Sequence, residues 1–229
     1  MKSLLIAAAL LGATDVASAF CTAPPPRECD AYFRAHVVVL GTVVADETKY
    51  SPSGFAEELT YRILVEKTLR GQAHRIVHIS TGNDSGGLRL MRGERRVLFG
   101  ERRDGKIYIG CDEWDLSLPT NADAIVSSIE RLKKLPPSTP ASIEIEFIPA
   151  EDEPIPPDAV RVYGESTTYG GTWVSSDRFK AVVPPGTYSV SIDPAFAKQT
   201  IYSLGWANPQ RLELAPGQCA QLQFQVGLE

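Results

Sequence analysis

The chain reads as mainly β: a closed barrel with one flanking helix, then a small sandwich. Three observations predict this. Short runs of β-branched and aromatic residues, many alternating apolar with polar, recur from residue 37 to 109 and again from 143 to 226. Sustained helical spacing is found at 121–135, just before a pair of prolines. The charge balance changes at Pro136-Pro137-Ser138-Thr139-Pro140: residues 20–135 hold 17 basic and 16 acidic side chains, residues 136–229 hold 5 and 11. The expected organisation is a leader over 1–19, a barrel unit over 20–135, a proline-rich linker over 136–141 and a sandwich unit over 142–229. Hydrophobic residues make up 43%, enough for ordinary cores, and the net charge of −5 implies no general affinity for nucleic acid or anionic membranes.

The leader has a short basic start at Lys2, an apolar run from Leu4 to Gly12 and an A-x-A signal at Ala17-Ser18-Ala19. This is the pattern of a secretory signal peptide cleaved between Ala19 and Phe20. The run is shorter than the roughly 20 apolar residues that span a bilayer, and no later segment approaches that length, so no membrane insertion is expected. A secreted or periplasmic location follows. Cys21, Cys29, Cys111 and Cys219 would survive cleavage, and an even count in an exported chain points to disulfides. Their three connectivities stay open, with Cys21–Cys111 preferred; that bridge would close some 90 residues and be worth roughly 4–5 kcal/mol on a chain-entropy argument. With no C-x-x-C pair, a zinc site is the weaker reading, and no metal or other cofactor is expected.

In the barrel unit, Arg27 to Arg34 is expected to form one or two helical turns after Pro24-Pro25-Pro26. The opening strand runs from Ala35 to Ala45. Val37, Val39 and Val43 lie on one face and Val38, Leu40 and Val44 on the other, as in a strand covered on both sides. Gly41 inside it marks a bend, a bulge or a close backbone approach. Asp46 to Gly54 reads as a polar loop. Leu59, Tyr61, Ile63 and Val65 alternate with polar residues in a second strand, and Ile76–Ile79 form a third. After the glycine-rich stretch Gly82–Gly87, Arg95–Phe99 and Lys106–Ile109 form a fourth and fifth, joined by the turn signal Asp104-Gly105. A helix from Asn121 to Leu135 follows, with Ile125, Ile129 and Leu132 at helical spacing. Five strands and a helix fit an OB-type barrel.

In the second unit, strands are expected at 143–147, 159–163, 173–179, 182–192, 212–214 and 222–226, with turn signals between them. The stretch Phe179 to Ile192, with Val183-Pro184-Pro185-Gly186-Thr187-Tyr188 inside it, resembles the carboxypeptidase regulatory-like (transthyretin-like) sandwich. That resemblance implies an accessory module with no catalytic residues.

The barrel unit also carries a resemblance. A cysteine near the mature start, then Val38-Val39-Leu40-Gly41-Thr42-Val43-Val44, then Tyr61-Arg62-Ile63-Leu64-Val65-Glu66-Lys67-Thr68-Leu69-Arg70-Gly71, resembles the bacterial tissue-inhibitor-of-metalloproteinases-like (netrin-type) domain. Gly93–Phe99 and Ile109-Gly110-Cys111 resemble that family's later strand and cysteine. The resemblance implies a netrin-type OB fold and a protein or protease partner, with Phe20, Cys21, Thr22 and Ser85 as an inhibitory wedge. The chain departs from that family in two ways: where the animal inhibitors begin Cys-x-Cys, Phe20 precedes Cys21 and the next cysteine is eight residues on, and the loop Asn83-Asp84-Ser85-Gly86-Gly87 before the fourth strand holds no cysteine.

Three further stretches carry candidate chemistry. Asp84-Ser85-Gly86-Gly87 is similar to the nucleophile loop of chymotrypsin-like serine proteases, but a triad also needs a base and an orienting acid, and His36 sits at the head of an apolar strand. His74 and His78 would lie roughly 13 Å apart on a strand, too far for one ion. Arg89, Arg92, Arg95, Arg96, Arg102, Arg103 and Lys106 form a basic stretch, interleaved with Glu94, Glu101 and Asp104. It reads as a solvated face rather than a nucleic-acid groove. The expected function is that of an exported, non-enzymatic binding protein with an unspecified target and oligomeric state. The alternatives are a metalloprotease inhibitor and, from another class, a serine hydrolase at Ser85.

Overall fold

The computed structural model describes residues 27–54, 56–82, 89–103, 106–109, 121–148, 158–193, 200–203 and 211–227. The chain opens with helix α1 (Glu28–Arg34), then strands β1 (Val37–Tyr50), β2 (Ala56–Arg70), β3 (Ile76–Gly82), β4 (Arg95–Arg103) and β5 (Lys106–Tyr108), and helix α2 (Ala122–Leu132). The five strands close on themselves in the order β1-β2-β3-β5-β4, with β4 returning to β1. Neighbours pair antiparallel except β3 and β5, which run parallel. This is an OB-type barrel.

The two apolar faces of β1 go to two different cores, as the sequence predicts. Val37, Val39 and Val43 fill the barrel with Ile63, Ile79 and Leu98. Val38 and Leu40 face outward, where Val97 and Phe99 of β4 join them beneath Ala31 of α1 and Ile125 and Ile129 of α2. Gly41 sits between these cores at a register shift against β2. A Cβ there would stand 2.6 Å from Ile63 Cγ2 and 2.8 Å from the Leu64 carbonyl oxygen, so close strand approach is what demands the glycine.

One expectation is corrected. Asp46–Tyr50, read as the start of a polar loop, continues β1 as far as Tyr50 opposite Ala56. Its pairing with β4 ends at Thr42, so Asp46–Tyr50 is an edge of the sheet, paired on one side with β2, which pairs in turn with β3. A largely exposed edge can carry polar side chains on both faces, which removes the apolar alternation that would mark it as strand.

The second unit comprises β6 (Ala141–Ile148), β7 (Val160–Tyr163), β8 (Thr168–Tyr169), β9 (Thr172–Trp173), β10 (Arg178–Val183), β11 (Gly186–Ile192), β12 (Thr200–Ser203), β13 (Leu212–Leu214) and β14 (Cys219–Gly227). They form a five-stranded sheet, β12-β14-β6-β10-β9, and a four-stranded sheet, β13-β11-β7-β8. Ile143, Ile145, Phe147 and Leu222 of the first sheet bury against Val162, Tyr188 and Leu212 of the second, which makes a sandwich. The pairing of β14 parallel to β6 joins the last strand to the first. The strands β8 and β12 are too short for periodicity to reveal and were not expected. Tyr188 donates its hydroxyl to the Pro184 carbonyl at 2.6 Å, which fixes the entry to β11.

Candidate functional site

Phe20, Cys21, Thr22, Ser85 and Cys111 lie outside the described residues, as do Asp84, Gly86, Gly87 and the Asp104-Gly105 turn. What the structure describes is the point where the N-terminal segment enters the fold, and that point is anchored from several directions. The Arg27 amide donates to Gln221 Oε1 on β14 at 2.6 Å, and the Arg27 guanidinium pairs with Glu144 on β6. Lys180 on β10 reaches the same carboxylate at 2.7 Å. Burial works to raise the Glu144 pKa, but hydrogen bonds from Lys180 and Arg27 outweigh it, so the carboxyl is held below its ordinary range. Two residues on, Cys29 is bridged to Cys219, the first residue of β14, with Cα atoms 5.5 Å apart.

Helix α1 is therefore a keystone between barrel and sandwich. On the barrel side, Ser128 of α2 donates to Glu28 at 2.9 Å. The Arg70 guanidinium donates to the Ala35 carbonyl at 2.8 Å and lies over the Tyr32 ring, 5.3 Å from its centroid. On the sandwich side, Asp30 is 1% exposed, pairs with Arg34 at 2.9 Å and accepts from the Gln221 backbone. Burial raises the Asp30 pKa to about 6, against the opposing pull of Arg34 and the Gln221 N–H. A second contact across the joint comes from the turn between β13 and β14. Gly217 there has φ +73°, and a Cβ on it would collide with Leu135 just beyond α2.

The barrel also carries a cleft of about 360 Å³. It lies beside β3, whose Ile76 and His78 pair with Leu64 and Arg62 of β2. The notch is lined by Thr60, His74, His78, Ser80, Arg102 and Lys106, together with the apolar Ile76, Val77 and Ile107. The structure thus brings His74 and His78 to one cleft, which strand spacing alone did not suggest. Sequence reasoning missed this site because its lining is drawn from β2, β3, β4, β5 and the connection at 72–74, which only the closed barrel brings together.

Elsewhere the expected chemistry resolves locally. His36 precedes β1, and its Nδ1 accepts from the Arg102 amide at 3.2 Å, a structural contact. The basic stretch is largely neutralised: Arg95 pairs with Glu66 and Asp123, Arg96 with Glu94, Arg103 with Glu101 and Lys106 with Glu58. Arg96 departs from the solvated face expected for this stretch, being only 6% exposed. No group of three or more potential metal ligands occurs among the described residues. No described helix is long and apolar enough to cross a membrane.

Fold and joint together define a two-unit β protein: an OB-type barrel stapled by a disulfide to a β-sandwich. No protein-family description matches the chain, and no curated protein does. Among solved structures it is similar to the Bacillus anthracis TIE protein at 10% identity and a TM-score of 0.27. The match covers 84% of this chain and 30% of that one, so the chain spans less than a third of that structure's length.

Proposed function

We propose that this is an exported, non-enzymatic binding protein that presents its N-terminal segment, Phe20 to Thr22, to a protein partner from the barrel–sandwich joint. The supporting observation is the anchorage of the residues that follow. Arg27 and Cys29 are fixed to β14 and β6, so only four positions separate Thr22 from an anchored residue. Pre-fixing a contact segment lowers the entropy lost on binding. With Cys29 bonded to Cys219, the remaining pair is Cys21–Cys111, and that bridge would tie the segment to the barrel as well. The leader and the disulfide both fit a secreted or periplasmic protein.

The same anchorage supports a narrower reading in which the segment is the wedge of a metalloprotease inhibitor, the role implied by the resemblance to the netrin-type domain. Titration of the mature protein against a panel of metalloproteases tests it. Inhibition that disappears when one residue is added before the mature N-terminus is the expected result for the wedge. Inhibition unchanged by the extra residue, or absent across the panel, would leave the broader reading and remove the narrower one. An active-site serine probe serves the same assay; stoichiometric labelling of Ser85 would overturn the non-enzymatic reading altogether.

A further inference from the structure

The cleft beside β3 has a definite chemical character. The described residues that line it include Arg102 and Lys106 but no carboxylate. Lys106 is already engaged, with its Nζ 3.0 Å from Glu58, which itself lies outside the lining. Hydrogen bonds from Ser80 and then from Lys106 hold the Glu58 carboxyl below its ordinary range. Arg102 is held more loosely; its guanidinium reaches the Gln72 carbonyl at 3.4 Å across the notch. The fixed charge of Arg102, Lys106 and Glu58 together is one positive unit. That matches a monoanion and disfavours a dianion, which would face Glu58 with a second negative charge. A planar guanidinium suits a carboxylate in particular, because two parallel N–H groups meet its two oxygens. Ile76, which is 41% exposed, offers apolar surface in the cleft, where Val77 and Ile107 are nearly buried, and about 360 Å³ lies near the lower end of the range for small-ligand sites.

We propose that this cleft binds a monocarboxylate carried on a short apolar stem, with the carboxylate on Arg102 and the stem over Ile76. The carboxylate has two sources with the same chemistry: a small free acid, or the C-terminus of a peptide chain. The proposal uses no residue of the N-terminal segment and stands or falls independently of it.

The test is a titration of the mature, disulfide-bonded protein followed through its backbone amide resonances. Four probes are used: pentanoate, N-acetyl-Ala-Val with a free carboxyl, the same dipeptide as its C-terminal amide, and inorganic phosphate. Saturable shifts at Val77, His78 and Ile107 are expected with one or both acids, and the tighter of the two identifies the source. The amide is expected to produce none. Arg102→Gln is expected to weaken the better acid at least tenfold with the thermal midpoint retained. Arg102→Lys, which keeps the charge and loses the fork, falls between. If Arg102→Gln does not fold, the comparison rests on Arg102→Lys, with at least a threefold loss expected. The proposal is overturned if neither acid gives saturable shifts there, if acid and amide bind equally, if phosphate binds more tightly than both acids, or if the folded variants bind as well as the parent.

Discussion

Asp30 is the residue whose role was least visible in the sequence. Its spacing to Arg34 marks a helical ion pair, and such pairs are usually exposed and weak. Here the carboxyl is buried between α1 and β14, because the helix that carries it fills the gap between barrel and sandwich. No local pattern encodes that placement, since it depends on a strand 190 positions away. The pH consequence follows from the direction of the shift. In the folded chain the Asp30 pKa is about 6, against an ordinary 3.8, so the folded state takes up the proton more readily than the unfolded state does. The contribution of Asp30 to stability is complete below about pH 4 and is lost as pH rises through 6. Comparison with Asp30→Asn removes the background of other carboxyls. The unfolding free energy of the parent, minus that of the variant, is expected to be larger at pH 4 than at pH 7. Chemical denaturation across that range checks it, and a constant difference, or one that shrinks on acidification, would contradict the buried placement.

At the level of elements, β1 was the most legible part of the chain. Its two apolar faces predicted cover on both sides, and the barrel interior and the two helices provide it. Gly41 signalled a bend, a bulge or a close approach, and the structure shows a register shift with β2 pressed close. Gly41→Ala is expected to cost about 1–3 kcal/mol, the usual range for forcing extra volume into a packed site. Gly170→Ala is the control, since nothing lies within 4 Å of a Cβ there, and it should change stability by no more than about 0.5 kcal/mol. Equal denaturation midpoints for the two variants would show that β2 does not press on Gly41. The edge at Asp46–Tyr50 was illegible for the opposite reason. Pairing without burial leaves no trace in hydrophobic periodicity. The cleft was illegible because its lining comes from four strands and a connection that are distant in sequence.

The whole molecule is held at one joint, and that joint was only partly readable. The cysteines predicted disulfides but not which pairs, because connectivity is a fact of three-dimensional proximity. The change in charge at the proline cluster falls between α2 and β6, yet it gave no sign that α1, early in the chain, would lock onto the last strand. The bridge from Cys29 to Cys219 closes nearly the whole described chain into a loop, and a loop of that length restricts the unfolded state strongly. It also anchors α1, which touches both units, and that anchorage is the basis for reading the residues ahead of it as the contact surface. N-terminal sequencing of the exported protein, with peptide mapping under non-reducing conditions, examines leader, compartment and joint together. The expected result is a start at Phe20, no free thiol, and cross-linked peptides joining Cys29 to Cys219 and Cys21 to Cys111. A chain that keeps its leader and four reduced thiols, or one in which Cys29 is joined to Cys21 or Cys111, would contradict it.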